Sequence, residues 1–180
     1  MTTAQPTVDV RDRRIEDAAP SVSAPSAGLG IARILLGFVF LWTFFDKTFG
    51  LYGTAPNESW LAGESPTAGY LGSLEGAFAP VFHAMAGQAW VDWSFMLGMG
   101  LVGTALILGV GMRLAAVGAV ALMGSLYLTS VPLENNPVVD EHLMYATLAV
   151  VLALTRAGDV LGAGRVWART PIVQRVSWLR

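Results

Sequence analysis

The stretch Ser130 to Tyr145, SVPLENNPVVDEHLMY, gathers most of the reactive side chains in this chain. Asp140, Glu141 and His142 are consecutive, and Glu134, Asn135 and Asn136 lie a few residues upstream. Imidazole exchanges protons near neutral pH, so His142 beside Asp140 is suited to relay a proton to or from a ligand. A second group, Asp46-Lys47 in FFDKTF, closes the first apolar run. The catalytic candidates are therefore His142, Asp140, Lys47 and Asp46. Ionisable groups at a membrane edge seldom stay unpaired, so Lys47 is expected to pair with Asp140 or Glu141. Such a pair fits a structural role as well as a catalytic one.

Other chemistries have less to work with. A metal held by Glu134, Asp140 and His142 matches no established ligand spacing, and no metal is assigned. The other histidine, His83, falls in a connection between spans, so the chain offers no histidine pair for haem. Cysteine is absent, which excludes a disulfide, an iron–sulfur cluster and thiol exchange by the chain itself. A redox role would need a bound molecule or a partner.

The elements that must position these residues are apolar. Hydrophobic residues make up 54% of the 180 and charged residues 13%, half the usual share for a soluble domain. A net charge of -2 and the lack of a basic run exclude nucleic acid as a partner. Four segments approach the roughly 20 helical residues that cross a bilayer, giving spans at 29–46, 91–111, 113–131 and 137–157. The expected fold is an all-α integral membrane protein, a four-transmembrane-helix bundle with the lipid bilayer as its first partner. Gly100 with Thr104, Ala115 with Ala119, Ala121 with Ser125 and Ala149 with Ala153 are small pairs that let helices approach closely, or leave room for a flat ligand.

Charge orients the bundle. Four crossings put Arg11, Arg13, Arg14, Arg113, Arg156, Arg165, Arg169, Arg175 and Arg180 on one side, the cytoplasmic side of a plasma membrane. The other side receives seven carboxylates, with Lys47 as its nearby cation. Both termini are then cytoplasmic. Arg33, about one turn inside that boundary, is expected to snorkel. Residues 1–27, rich in Ala, Pro, Ser and charge, lack the apolar core of a signal peptide and are expected to be a disordered cytoplasmic tail. Residues 159–180 are expected to be an interfacial tail on the same side, carrying Trp167 and Trp178. The outward 46–92 connection should hold one or two short amphipathic helices, starting after Ser65-Pro66 and broken near Pro80.

Asn136-Pro137 has the form of a helix start, which predicts a fourth helix from Pro137 to about Ala157. Its uninterrupted apolar part, Leu143 to Thr155, reaches only about 20 Å at 1.5 Å per residue. The hydrocarbon core is about 30 Å thick, so Asp140, Glu141 and His142 should sit within the outer rim. Two readings remain open: a capped helix start with solvated acids, or a polar pocket.

The stretches RILLGFVFLWTFFDKTFG (33–50), AWVDWSFMLGMGLVGTALILGVGMRLAA (89–116), PLENNPVVDEHLMYA (132–146) and PIVQRVSWLR (171–180) resemble the DoxX family of membrane proteins, and more closely its DoxD-type branch. The resemblance implies a four-helix membrane protein passing electrons from thiosulfate or a thiol system to membrane quinone. A quinone ring would lie among Trp42, Phe44, Phe45 and Tyr145, with Glu134, Asn135 and Asn136 as polar partners and His142 and Asp140 handling protons. The alternative class is a non-catalytic anchor or scaffold for a soluble redox partner protein, with a homo-oligomer as a further form of assembly.

Overall fold

A computed structural model of the chain describes residues 23–133 and 136–179. Residues 1–22 of the expected 1–27 tail and the candidates Glu134 and Asn135 lie outside the described residues. Those described are helical and irregular, with no strand among them. Among the described residues, three helices are long and apolar enough to cross a membrane. They lie in α1 (Ala24–Phe49), α4 (Ala89–Leu108) and α5 (Met112–Thr129). The fourth, α6 (Glu141–Leu154), has 14 residues and is about 21 Å long.

Each of these boundaries differs a little from expectation. Helix α1 starts at Ala24 and takes in the last residues of the expected tail. The larger correction concerns α6, which begins four residues after Pro137. Asn136 does not cap it: its Oδ1 accepts the Val138 and Val139 amides, each at 2.9 Å, and closes a separate turn. Asp140 is the cap, its carboxylate accepting the Leu143 amide at 3.0 Å. An asparagine that satisfies amides two and three residues ahead competes with helix in this way, and two β-branched valines favour the extended path between turn and cap.

The helices alternate in direction, so the chain has two poles. The end of α1 and the start of α4 meet the end of α5 and the start of α6 at one, called here the acidic pole. Between α1 and α4, the chain covers that pole with two 3-10 turns (Pro56–Glu58 and Trp60–Ala62) and the short helices α2 (Ala68–Gly72) and α3 (Ala79–Met85). The break falls between Gly72 and Ala79, and Pro80 stands in the first turn of α3, where a missing amide costs nothing. His83 is part of that helix, its Nε2 donating to the Leu74 carbonyl at 2.9 Å.

Packing depends on small residues. Helix α1 lies on α4 where a Cβ on Gly103 would stand 2.6 Å from the Leu41 amide nitrogen, and one on Gly37 would stand 2.9 Å from that of Ile107. Without hydrophobic force between helices in lipid, such close approach supplies the attraction. Helix α5 lies on α6 through buried Ala115, Ala119, Ala146 and Ala149, and α1 makes a smaller contact with α6. Ala121 and Ser125 are exposed and Thr104 points outward, so those expected pairs do not serve this packing.

At the opposite pole, Arg33 does not snorkel. It is fully buried, and its guanidinium donates to the carbonyls of Leu106, Ile107 (2.7 Å), Val160 (3.2 Å) and Leu161 (2.8 Å). Leu106 and Ile107 belong to the last turn of α4, where the Leu106 carbonyl also accepts the Gly109 amide at 3.2 Å. One side chain thus holds α1, α4 and the segment after α6 together. That segment comes so near that a Cβ on Gly158 would stand 2.3 Å from the Gly109 carbonyl oxygen.

Arg33→Met keeps the length of the side chain and removes every donor. It should cost on the order of 3 kcal/mol or more, since several buried carbonyls lose a charged donor together. Titrating the purified protein with SDS and following helicity should show the loss as an earlier midpoint, with Arg33→Lys in between.

Candidate functional site at the acidic pole

Three carboxylates organise this pole, and each is held by different donors. Asp46, in the last turn of α1, is buried. Its Oδ1 accepts the Tyr52 amide at 2.6 Å and the Gly53 amide at 2.9 Å, and its Oδ2 accepts the Thr54 hydroxyl at 3.0 Å. The carboxylate therefore folds its own outgoing loop after Gly50 reverses the chain in a left-handed conformation. Asp92, in the first turn of α4, accepts the hydroxyls of Ser65 at 2.8 Å and Thr67 at 2.5 Å. The helix α2 starts at Ala68 after Thr67, two residues later than Ser65-Pro66 implies; Ser65 instead accepts the Ala68 amide at 3.0 Å from the turn before it and ties that turn to α4.

Asp140 has the third arrangement. Its Oδ1 caps α6 and its Oδ2 accepts His142 Nδ1 at 2.7 Å, both side chains being largely buried. Burial opposes charge on Asp140, but the Leu143 amide and the His142 ring outweigh it and hold the carboxyl below the usual carboxylate range. With Nδ1 turned to Asp140, Nε2 is the ring nitrogen left for other chemistry. Glu141 is exposed beside the pair.

Asp140 and Glu141 line a cavity of about 410 Å³, together with Thr129, Ser130, Pro132, Leu133, Asn136 and Val139. This volume lies within the range of small-molecule sites. Thr129 donates its single proton to the Leu126 carbonyl at 2.6 Å, so the Tyr70 hydroxyl donates to Thr129 at 2.7 Å and ties α2 to the cavity wall. On the other side of the loop, Tyr127 donates to the Val138 carbonyl at 2.9 Å.

No protein-family model, curated protein or solved structure matches this chain. Its chemistry must be argued from the side chains.

The structure brings together Asp140, His142, Glu141 and Asn136. It does not join Lys47 to them: no ion pair links Lys47 to Asp140 or Glu141. Asp46 turns to its own loop instead. The aromatic candidates divide as well. Trp42 stacks on Phe38 with ring centres 5.8 Å apart, and Phe45 lies 6.2 Å from Phe49. These four form an outward stripe on α1, whereas Phe44 and Tyr145 pack on the core. None of these aromatic candidates lines the cavity, whereas Asn136, an expected polar partner of the quinone, does.

Asp140, Glu141 and His142 also place one ligand atom each within 4.8 Å of one another, a group able to hold a cation. Both Asp140 oxygens already accept protein donors, however, and proton transfer is the chemistry this geometry favours. The residues missed in the sequence were Tyr70, Thr129, Ser130 and Asp92. A run of Thr-Ser closing an apolar helix next to the polar block was the available signal for two of them.

The lowered Asp140 carboxyl fixes the sign of a pH effect. Its stabilisation is fully present above the pKa of the unfolded chain and is lost as pH falls through the folded value. Asp140→Ala should therefore cost about 1 kcal/mol at neutral pH through the lost cap. The difference from the parent protein should vanish in acid, as read by SDS or thermal midpoints across a pH series.

Proposed function

We propose that this chain is a DoxX-like, DoxD-type redox-linked subunit of the plasma membrane, crossing four times with both termini cytoplasmic, which passes electrons from a thiol to membrane quinone. The observation that carries this reading is the Asp140–His142 pair, whose Asp140 lines the 410 Å³ cavity. Oxidising two thiols to a disulfide releases two electrons and two protons, and reducing a quinone to a quinol consumes the same numbers. A thiol must lose its proton to become a good electron donor. Asp140 accepts His142 Nδ1 and so orients the imidazole, leaving Nε2 as the ring nitrogen that can take the thiol proton.

The cavity lining favours one of the two donors that the resemblance implies. Among the described residues, the lining contains two carboxylates and no cationic side chain. Thiosulfate is a dianion, which that lining repels, and its oxidation to tetrathionate releases no proton. The thiol is the better fit on both counts. The outward aromatic stripe of α1 supports quinone approach from the lipid side, since Phe38, Trp42, Phe45 and Phe49 repeat on one helical face.

The scaffold reading has its own support in the cover of the acidic pole, where Tyr52 is 89% exposed and Leu61 70%. Apolar residues offered there suit a soluble partner protein.

Purified protein in quinone-containing liposomes should reduce quinone with a small thiol and not with thiosulfate. His142→Gln and Asp140→Asn should each lower the thiol-dependent kcat/KM by about a hundred-fold, the lower end expected for a positioned acid–base group. Unchanged rates in both variants would overturn the proposal. Absence of turnover together with a stoichiometric soluble oxidoreductase on purification would establish the scaffold instead.

A further inference from the structure

The pole opposite the cavity is built from arginine. Arg113 in α5, Arg156 after α6, Arg165 in α7 (Gly164–Trp167), Arg169, and Arg175 in α8 (Pro171–Arg175) are all exposed. Residues 156–179 contain a single carboxylate, Asp159. The segment is folded against the bundle. The Ala163 amide donates to the Leu108 carbonyl at 2.8 Å, Trp167 Nε1 donates to the Leu179 carbonyl at 2.8 Å, and Val173 is buried.

These inward contacts leave a different set facing out. Val166 is 68% exposed and Ile172 55%, and Val176 and Trp178 are nearly half exposed. They alternate with Arg165, Arg169 and Arg175 on the same folded segment. It lies where the apolar helix α4 ends and α5 begins, so it stands at headgroup depth for any bilayer those helices cross.

We propose that this platform binds the phosphodiester headgroups of anionic phospholipid in the leaflet at the arginine pole. Guanidinium forks match pairs of phosphate oxygens. The interleaved valine, isoleucine and tryptophan enter the acyl boundary, as in interfacial segments that lie along a membrane. A phosphate ion free in solution would use the arginines alone and leave the apolar residues wet. The lipid satisfies both sets at once.

The full-length protein, purified in neutral detergent, is mixed with phosphatidylglycerol or phosphatidylcholine, and retained lipid is counted by native mass spectrometry. Phosphatidylglycerol should be retained in preference and should withstand millimolar inorganic phosphate. Replacing Arg165, Arg169 and Arg175 together by Gln should weaken it by about five-fold per arginine, roughly a hundred-fold in all. The matching Lys triple variant should keep much of the preference. Equal retention of the two lipids, displacement by phosphate alone, or undiminished phosphatidylglycerol in a folded Gln variant would each overturn the proposal. Should the Gln variant fail to fold, the parent protein decides. Retention must then fall as salt rises, and persistence at high salt overturns it.

Discussion

The bundle depends on the way Arg33 closes its arginine pole. An apolar environment supplies no water to satisfy backbone carbonyls, and each unsatisfied one is costly. The last turn of α4 and the segment after α6 both arrive at this pole with carbonyls to place. Arg33 reaches Leu106, Ile107, Val160 and Leu161 from a third element, so its planar fork satisfies several acceptors and fixes three chain segments relative to one another. The close approach of Gly158 to Gly109 follows from this, because the guanidinium draws the loop onto the helix end. A cation buried among carbonyls also explains why the site can do without a paired carboxylate: the oriented backbone dipoles carry the countercharge.

The acidic pole solves the complementary problem. There the groups left over are amides and hydroxyls, and carboxylates receive them. Asp46 accepts the amides of Tyr52 and Gly53, Asp92 the hydroxyls of Ser65 and Thr67, and Asp140 the amide of Leu143. Charge asymmetry along this chain therefore has a structural use at each end, alongside the orienting effect that arginine has on membrane insertion. Asp46 has few lone pairs left for chemistry once its loop is folded. Asp140 differs because one of its two donors is an ionisable ring.

Much of this was legible in the sequence because hydropathy and turn residues report local physics. The three long apolar helices lie within a few residues of their expected places, and the Asp140–His142 neighbourhood is visible as a polar block. What could not be read is which of two adjacent caps prevails. Asn136-Pro137 and Asp140 both satisfy the rules for a helix start, and only the competing Asx turn at Val138 and Val139 decides between them. The fate of Arg33 was hidden for a similar reason. Its carbonyl partners lie 73 to 128 residues away, and no periodicity in its own helix points to them. Gly103 was passed over in favour of Gly100, although only the former meets the backbone of α1.

That choice of cap has a consequence for chemistry. Had α6 begun at Pro137, residues 137–140 would have coiled into its first turn and placed their amides within the helix. The side chains of Val139 and Asp140 would then point about 100° apart around an axis. Because the helix waits until Glu141, residues 136–139 stay irregular, and Asn136 and Val139 join Pro132, Leu133 and the end of α5 at Thr129 and Ser130 in the cavity wall. The same delay puts Asp140 in an extended conformation, from which its carboxylate turns back to both the Leu143 amide and the His142 ring. The cavity and the proton-handling pair thus share one origin. A substitution that advanced the helix start would remove both together, even where no lining side chain had been changed.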